Sequence, residues 1–213
     1  FYLGQLFTLM YRFGDAEKEF ALYEKAKRRD KEALAKLSGK RAFLEKLRKM
    51  VSRTEDVQII DSVVVPKKVF LSAYHLSTTS GSLLPMQDFF ENAPINDFPV
   101  FLNERKDKVY FSLTDSLKNI DLYTMEKLLD HFGNQKRLPE SINDAGDQAY
   151  PFVMSDGVTI YFASTGHNSI GGYDLYITRY NFASDSYLNP NQLNMPFNSP
   201  FNDYMLAVDE EKG

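Results

Sequence analysis

The segment from Asn96 to Lys127, NDFPVFLNERKDKVYFSLTDSLKNIDLYTMEK, returns in altered form from Asp147 to Tyr180 as DQAYPFVMSDGVTIYFASTGHNSIGGYDLYITRY. Pro99 aligns with Pro151, Val109-Tyr110-Phe111 with Ile160-Tyr161-Phe162, and Asp121-Leu122-Tyr123 with Asp174-Leu175-Tyr176, at offsets of 52, 51 and 53 residues. The connecting segments match as well: LPESIND (Leu138 to Asp144) is similar to MPFNSPFND (Met195 to Asp203), and NDYMLAV (Asn202 to Val208) opens a third copy. Each copy is built from short β-branched and aromatic runs. In the second copy these predict strands over Tyr150–Ser155, Thr159–Ser164 and Tyr173–Tyr180, with a weaker outer strand near Tyr187–Asn194. Asp156-Gly157 is a hairpin turn because glycine tolerates positive φ, and Gly171-Gly172 bends the chain into the third strand. A period near 50 residues made of short strands predicts β-propeller blades. Repeat units lie near 96–146 and 147–201, with the next blade starting at 202, so residues 53–213 hold about three. Closure takes roughly four to eight blades, and the expected propeller is therefore partial.

Residues 1–52 carry a different period. Charges are dense and the first proline is Pro66. In GDAEKEFALYEKAKRR, Ala16, Phe20, Ala21, Tyr23 and Ala26 recur at the spacing of one helical face. Gly14-Asp15 marks a break, with Asp15 as N-cap, and Ser38-Gly39 marks a second break before KRAFLEKLRKMV. Leu3, Gly4 and Phe7, followed by Ala16 and Phe20, resemble one tetratricopeptide repeat, in which small residues let two antiparallel helices approach and aromatics fill the gap. The closing proline of that repeat is absent, with Arg28 near its place. Between the helices and the repeats, VQIIDSVVVPKKVFLSAYHLS reads as two strands split by a turn at Pro66. The expected fold is thus α + β and multidomain: tetratricopeptide-like helical hairpins over 1–52, then antiparallel propeller blades over 53–213.

The series formed by YPFVMSDGVTIYFASTGHNSIGGYDLYI and LNMPFNSPFNDYMLAV resembles the WD-like, Pro-Asp type propeller repeats related to the TolB propeller. The upstream copy departs from it, with Arg105-Lys106-Asp107-Lys108 in place of Ser155-Asp156-Gly157 and Ser116-Leu117-Lys118-Asn119 in place of the glycine loop. Tetratricopeptide segments joined to such propellers are similar to large envelope proteins of Bacteroidetes-type bacteria. That resemblance implies a periplasmic, outer-membrane associated setting and envelope or outer-membrane proteins as partners. It also implies contact with peptidoglycan through a further C-terminal domain. The opening Phe1-Tyr2-Leu3 reads as the middle of a helix and the chain as a fragment, with any signal peptide or lipid anchor upstream.

Composition narrows the function. The net charge of −4 gives nucleic acid no basic field to meet. There is no cysteine, hence no disulfide, thiolate metal site or cysteine nucleophile in the chain. No apolar run approaches the ~18 residues of a transmembrane helix. His75, His131 and His167 are far apart and lack metal-ligand spacing. Asn143-Asp144-Ala145-Gly146-Asp147 is oxygen-rich but lacks the ligand ladder of a calcium loop, and reads as a turn. STGHNSIGG is not followed by Gly-Lys-Ser/Thr, and no Gly-x-Ser-x-Gly elbow occurs. The basic run Lys25–Lys49 is interleaved with acids and reads as a solvated helix face. No enzyme activity and no cofactor are expected. The leading expectation is a protein–protein interaction scaffold, and the alternative is a carbohydrate-binding or glycan-hydrolysing propeller. The candidate binding rim joins His167, Asn168, Ser169 and Tyr173 with Asn198, Phe201 and Asn202, because both loops fall at one end of the meander.

Overall fold

A computed structural model describes residues 1–54, 56–90, 98–115 and 118–212. It divides into two units, Phe1–Val57 with Asn194–Pro196, and Gln58–Leu193 with Phe197–Gly213. The first holds α1 (Tyr2–Leu9), α2 (Phe13–Ala26) and α3 (Lys31–Val51). The α1–α2 break falls at Met10–Arg12, where Tyr11 takes φ +59°, and not at Gly14-Asp15. Asp15 lies inside the first turn of α2 and pairs with Arg12 (2.6 Å) and Lys18 (3.2 Å) instead of capping. Gly4 lets the hairpin close: a Cβ there would stand 2.6 Å from the Phe20 ring, and Ala16 and Phe20 are fully buried. Leu37 and Leu44 complete that core.

The break expected at Ser38-Gly39 is absent, and α3 runs through it for 21 residues. A mid-helix glycine costs about 1 kcal/mol against alanine. Buried Leu37 on one side and Leu44 and Leu47 on the other outweigh that cost. Asp30 caps the start by accepting from Ala33 N (3.0 Å), and Arg48 and Lys49 stand in the last turn, where cations suit the helix dipole. No helix among the described residues is long and apolar enough to cross a membrane.

The second unit is built on two five-stranded antiparallel sheets. The first runs in chain order through β1 (Ser82–Pro85), β2 (Pro99–Leu102), β3 (Lys108–Thr114), β4 (Ile120–Lys127) and β5 (Phe132–Arg137), with the one-turn helix α4 (Met86–Phe89) between β1 and β2. The second contains β6 (Gln148–Val153), β7 (Thr159–Ser164), β8 (Asp174–Asn181), β9 (Ser186–Tyr187) and β10 (Asn191–Gln192). Its order is β10-β8-β7-β6, with β9 also paired to β8. Every side chain of β6 is buried, as expected of a strand covered on both sides. Phe152 of β6 meets Phe101 of β2 at 4.9 Å between ring centroids. Tyr110, Leu122 and Ile142 from the first sheet and its exit join Ile160, Phe162 and Tyr176 from the second in one core.

This architecture corrects the expected fold. The sheets are neither closed nor curled, so they do not make a propeller, and the helices do not make an array of tetratricopeptide repeats. The molecule is a sheet-rich open fold with few helices. The segments relied on for further blades supply no strand: Val57–Leu76 contains only the 3-10 turn Lys67–Ala73, and Asn202–Val208 lies outside helix and strand. Of the repeat region, Asn96–Asp97 and Ser116-Leu117 lie outside the described residues.

The stretch after Met205 is held by side chains instead of a β-ladder. Tyr74 Oη donates to Met205 O (2.7 Å), Ser80 Oγ accepts from Glu210 N (3.0 Å), and Ser155 N and Oγ donate to Glu210 (2.7 and 2.6 Å). Asp209 accepts from Ser77 Oγ (2.7 Å) and pairs with Lys212 (2.9 Å). The Lys212 ammonium and then the Ser77 hydroxyl hold the Asp209 carboxyl down at about 2, against 3.8 ordinarily. A depressed folded-state pKa gives stability that is present above the unfolded value and lost as pH falls through the folded one. The Asp209 clasp is therefore whole at pH 5 and opens between about pH 4 and pH 2. Asp209→Asn should shrink the drop in urea midpoint over that interval, and an unchanged drop would remove Asp209 from the acid response.

Candidate functional site

The expected rim forms where the β7–β8 loop meets the 198–203 turn. Asp174, fully buried at the start of β8, accepts from Ile170 N (2.5 Å), Gly171 N (3.4 Å) and Gln192 Nε2 (2.5 Å). Burial pushes its carboxyl up, and those three donors only partly offset the effect. The loop and the turn touch so closely that a Cβ at Gly171 would stand 2.1 Å from Phe201 O. Gly172, at φ +112°, would place one 2.3 Å from Asn202 Oδ1. Gly171 is thus required by backbone contact, and Gly172 by its positive φ at the bend.

Most polar rim atoms are spent on the fold. Asn198 is buried; its Oδ1 accepts from Leu175 N (2.6 Å), and its Nδ2 donates to Leu175 O (2.9 Å) and Leu193 O (2.7 Å). Asn202 Oδ1 accepts from Tyr173 N (3.0 Å). Ser169 Oγ donates to Thr165 O (2.8 Å). His167, at φ +48°, donates from Nε2 to Ile142 O (2.7 Å) and from its backbone N to Asp144 (2.6 Å). Burial raises the Asp144 carboxyl, but donors from Gly146, His167 and Gln148 outweigh it and hold the group below the ordinary range. The structure therefore brings Tyr173, Phe201 and Asn202 together, puts His167 in a separate cluster with Asp144, and withdraws Asn198 into the interior. Asn168, at φ +65°, is exposed between them.

The first sheet repeats this chemistry. Asn143 Oδ1 accepts from Leu122 N (2.8 Å), and its Nδ2 donates to Leu122 O (3.0 Å) and Leu138 O (2.8 Å). Asp147 Oδ1 accepts from Ile120 N (3.0 Å), as Asn202 does from Tyr173. Buried Asp121 is gripped by Arg137 Nε (2.6 Å) and Nη2 (3.1 Å), where Asp174 has Gln192. The oxygen-rich segment 143–147 is thus a turn whose oxygens face protein donors. Among the described residues no group of three or more His, Cys, Asp or Glu could hold a metal ion.

Sequence reasoning missed an aromatic cluster next to the rim. Tyr150 takes φ +55°, in a β6 whose register shifts between Ala149 and Phe152. Positive φ is uncommon for a bulky residue. Its ring stacks on Tyr204 (4.7 Å) and meets Phe98 (5.3 Å) and Tyr173 (6.1 Å) edge-on. Burial, then the Asp147 carboxylate, raises the Tyr173 hydroxyl to about 12. Tyr204 is 41% exposed and Phe201 60%. The sequence offers only a lone tyrosine beside Pro151 and another beside Asp203, with nothing that pairs them. Comparison of the chain with protein-family models, with curated proteins and with solved structures finds no match in any of the three.

Proposed function

We propose that this chain is a non-enzymatic scaffold that binds other proteins through exposed apolar surface. The supporting observation is the segment between the helices and the sheets. Ile59, Ile60, Val63 and Val64 are 78%, 91%, 68% and 97% exposed within eight residues of Val57. Covering a β-branched side chain of this size is worth about 1.5–3 kcal/mol, and contiguous apolar exposure marks an interaction site. A run of this composition suits addition to the open edge of a partner's sheet. The setting, a bacterial envelope with outer-membrane proteins as partners, rests on the sequence resemblance alone.

A second reading, a carbohydrate ligand, is favoured by exposed Phe201 and Tyr204 beside the Tyr150 cluster. One experiment separates the two. A photo-crosslinking residue at position 59 should give discrete adducts with envelope proteins, and Ile60→Lys with Val64→Lys should remove them without lowering Tm. Absence of adducts, together with glycan binding lost in Tyr204→Ala, would replace the scaffold by a carbohydrate module.

A further inference from the structure

We infer that the open pocket at the β8–β9 hairpin binds the C-terminal residue of a partner protein, taking its apolar side chain together with its free carboxylate. This rests on the scaffold reading and names the chemistry that a partner presents there. Val158, from the β6–β7 turn, and Arg179, Phe182, Ala183 and Leu188, from β8 and the hairpin, line a depression of about 300 Å³. A cavity of roughly 150 Å³ already holds a benzene ring, so there is room for one large apolar side chain and a carboxylate beside it. Phe182 and Leu188 are 79% and 49% exposed, and the Phe182 ring is propped edge-on against Tyr180 at 5.2 Å. The walls are fixed locally. Tyr180 N donates to Val158 O (2.9 Å), which joins the turn to β8, and Tyr180 Oη donates to Asp185 across the hairpin.

The arginine selects the ligand. The sheet unit has three arginines; Arg105 pairs with Glu104 (3.3 Å) and Arg137 with Asp121 (2.6 Å), but exposed Arg179 has no ion pair among the described residues. The acid nearest to it on the β6–β7 turn, Asp156, already accepts from Val158 N (2.9 Å), Thr159 N (2.8 Å) and Thr159 Oγ1 (2.7 Å). The repeat shows that the fold does not demand a cation there. The position matching Arg179 in the first sheet is Glu126, which stands opposite Lys108, whereas Arg179 stands opposite uncharged Thr159. A guanidinium fork beside an apolar wall suits a carboxylate, which it takes through two parallel hydrogen bonds. A membrane surface or nucleic acid calls for a cluster of cations, and here one arginine shares its two turns with Asp156 and Asp185. An acidic residue within a chain brings its carboxylate without an apolar group. A chain terminus carries both on one residue, within the span of this pocket.

The test is fluorescence anisotropy of the full chain with an N-terminally labelled Gly-Ser-Gly-Ser-Leu peptide ending in a free carboxylate, alongside the same peptide ending in an amide. The acid form should bind at least about tenfold more tightly. Arg179→Gln should weaken the acid form about tenfold, leave the amide form where it was and keep Tm unchanged. Phe182→Ser should weaken both forms by the same factor, because the side-chain contact is common to them. Equal binding of the two forms, or an acid form indifferent to Arg179→Gln, overturns the inference. So does hexanoate competing as well as the acid peptide, which would make this a pocket for small acids, or Arg179-dependent binding to phosphatidylglycerol vesicles without peptide binding. If position 59 still crosslinks to proteins while neither peptide binds, the scaffold reading stands and this pocket does not. If the acid peptide binds while position 59 stays silent, the pocket stands alone.

Discussion

Replacing Asn143 by alanine should lower the unfolding free energy by about 3 kcal/mol, and Asn198→Ala should do nearly the same. Each amide serves as a piece of backbone. Asn143 accepts from Leu122 N and donates to Leu122 O and Leu138 O; Asn198 treats Leu175 and Leu193 identically. Both side chains sit in places with 1–2% exposure, where water cannot stand in. A buried backbone group left unpaired costs about 1–3 kcal/mol. Alanine strands Leu122 N and Leu138 O outright, while Leu122 O keeps the bond from Leu138 N (2.9 Å). Asn143→Asp keeps the shape but turns the donor into an oxygen facing two carbonyls, so at pH 7 it should cost at least as much as alanine. Urea denaturation reads both. A loss below about 1 kcal/mol for Asn143→Ala would mean that the connection relaxes around the gap, and the clamp would no longer explain why the turn sits against β4.

The two clamps also show where sequence reading reached its limit. The turn at Asp156-Gly157 and the strand Thr159–Ser164 were legible because their causes are local: Gly157 sits at φ +69°, and Asp156 accepts from Val158 N and Thr159 N. The bonds of Asn198 reach back to β8, so its amide looked like free surface chemistry when it was interior structure. The run from Val57 to Leu76 carried strand composition, but a strand also needs an edge to pair with, and composition does not report one. Gly39 carried a break signal that buried leucines on both sides overrode. The repeat made similar units legible but not their assembly. Each unit builds an antiparallel meander, whereas the packing of β6 onto β2, β3 and β4 depends on contacts such as Phe101 with Phe152 that no period encodes. The Tyr150 cluster was invisible for a related reason: a register shift in β6 turns the ring, and alternation along the strand gives no warning of it.

The sharpest difference between the two sheets lies at one matched pair, and exchanging it should move stability in opposite directions. Arg137 stands opposite Tyr123 of β4, as Gln192 stands opposite Tyr176 of β8, and each side chain reaches a buried aspartate. Arg137→Gln leaves Asp121, 1% exposed, without its cation. Breaking a buried pair costs about 3–5 kcal/mol, and this one should fall at the low end because the guanidinium is 39% exposed. Gln192→Arg does the reverse, supplying a cation to Asp174, whose carboxyl burial pushes above its ordinary value. A raised folded-state pKa means that the native state binds the proton more tightly than the unfolded one. Asp174 therefore weakens the fold above its titration and stops doing so below it. The gain from Gln192→Arg should accordingly appear at pH 7 and vanish once Asp174 is protonated, while Arg137→Gln should lower stability at pH 7. Urea midpoints of both variants at pH 7 and pH 4 test the pair. A Gln192→Arg gain that is equal at the two pH values would place its origin in packing instead of charge. A neutral Arg137→Gln would show that Asp121 is held by its surroundings without the guanidinium.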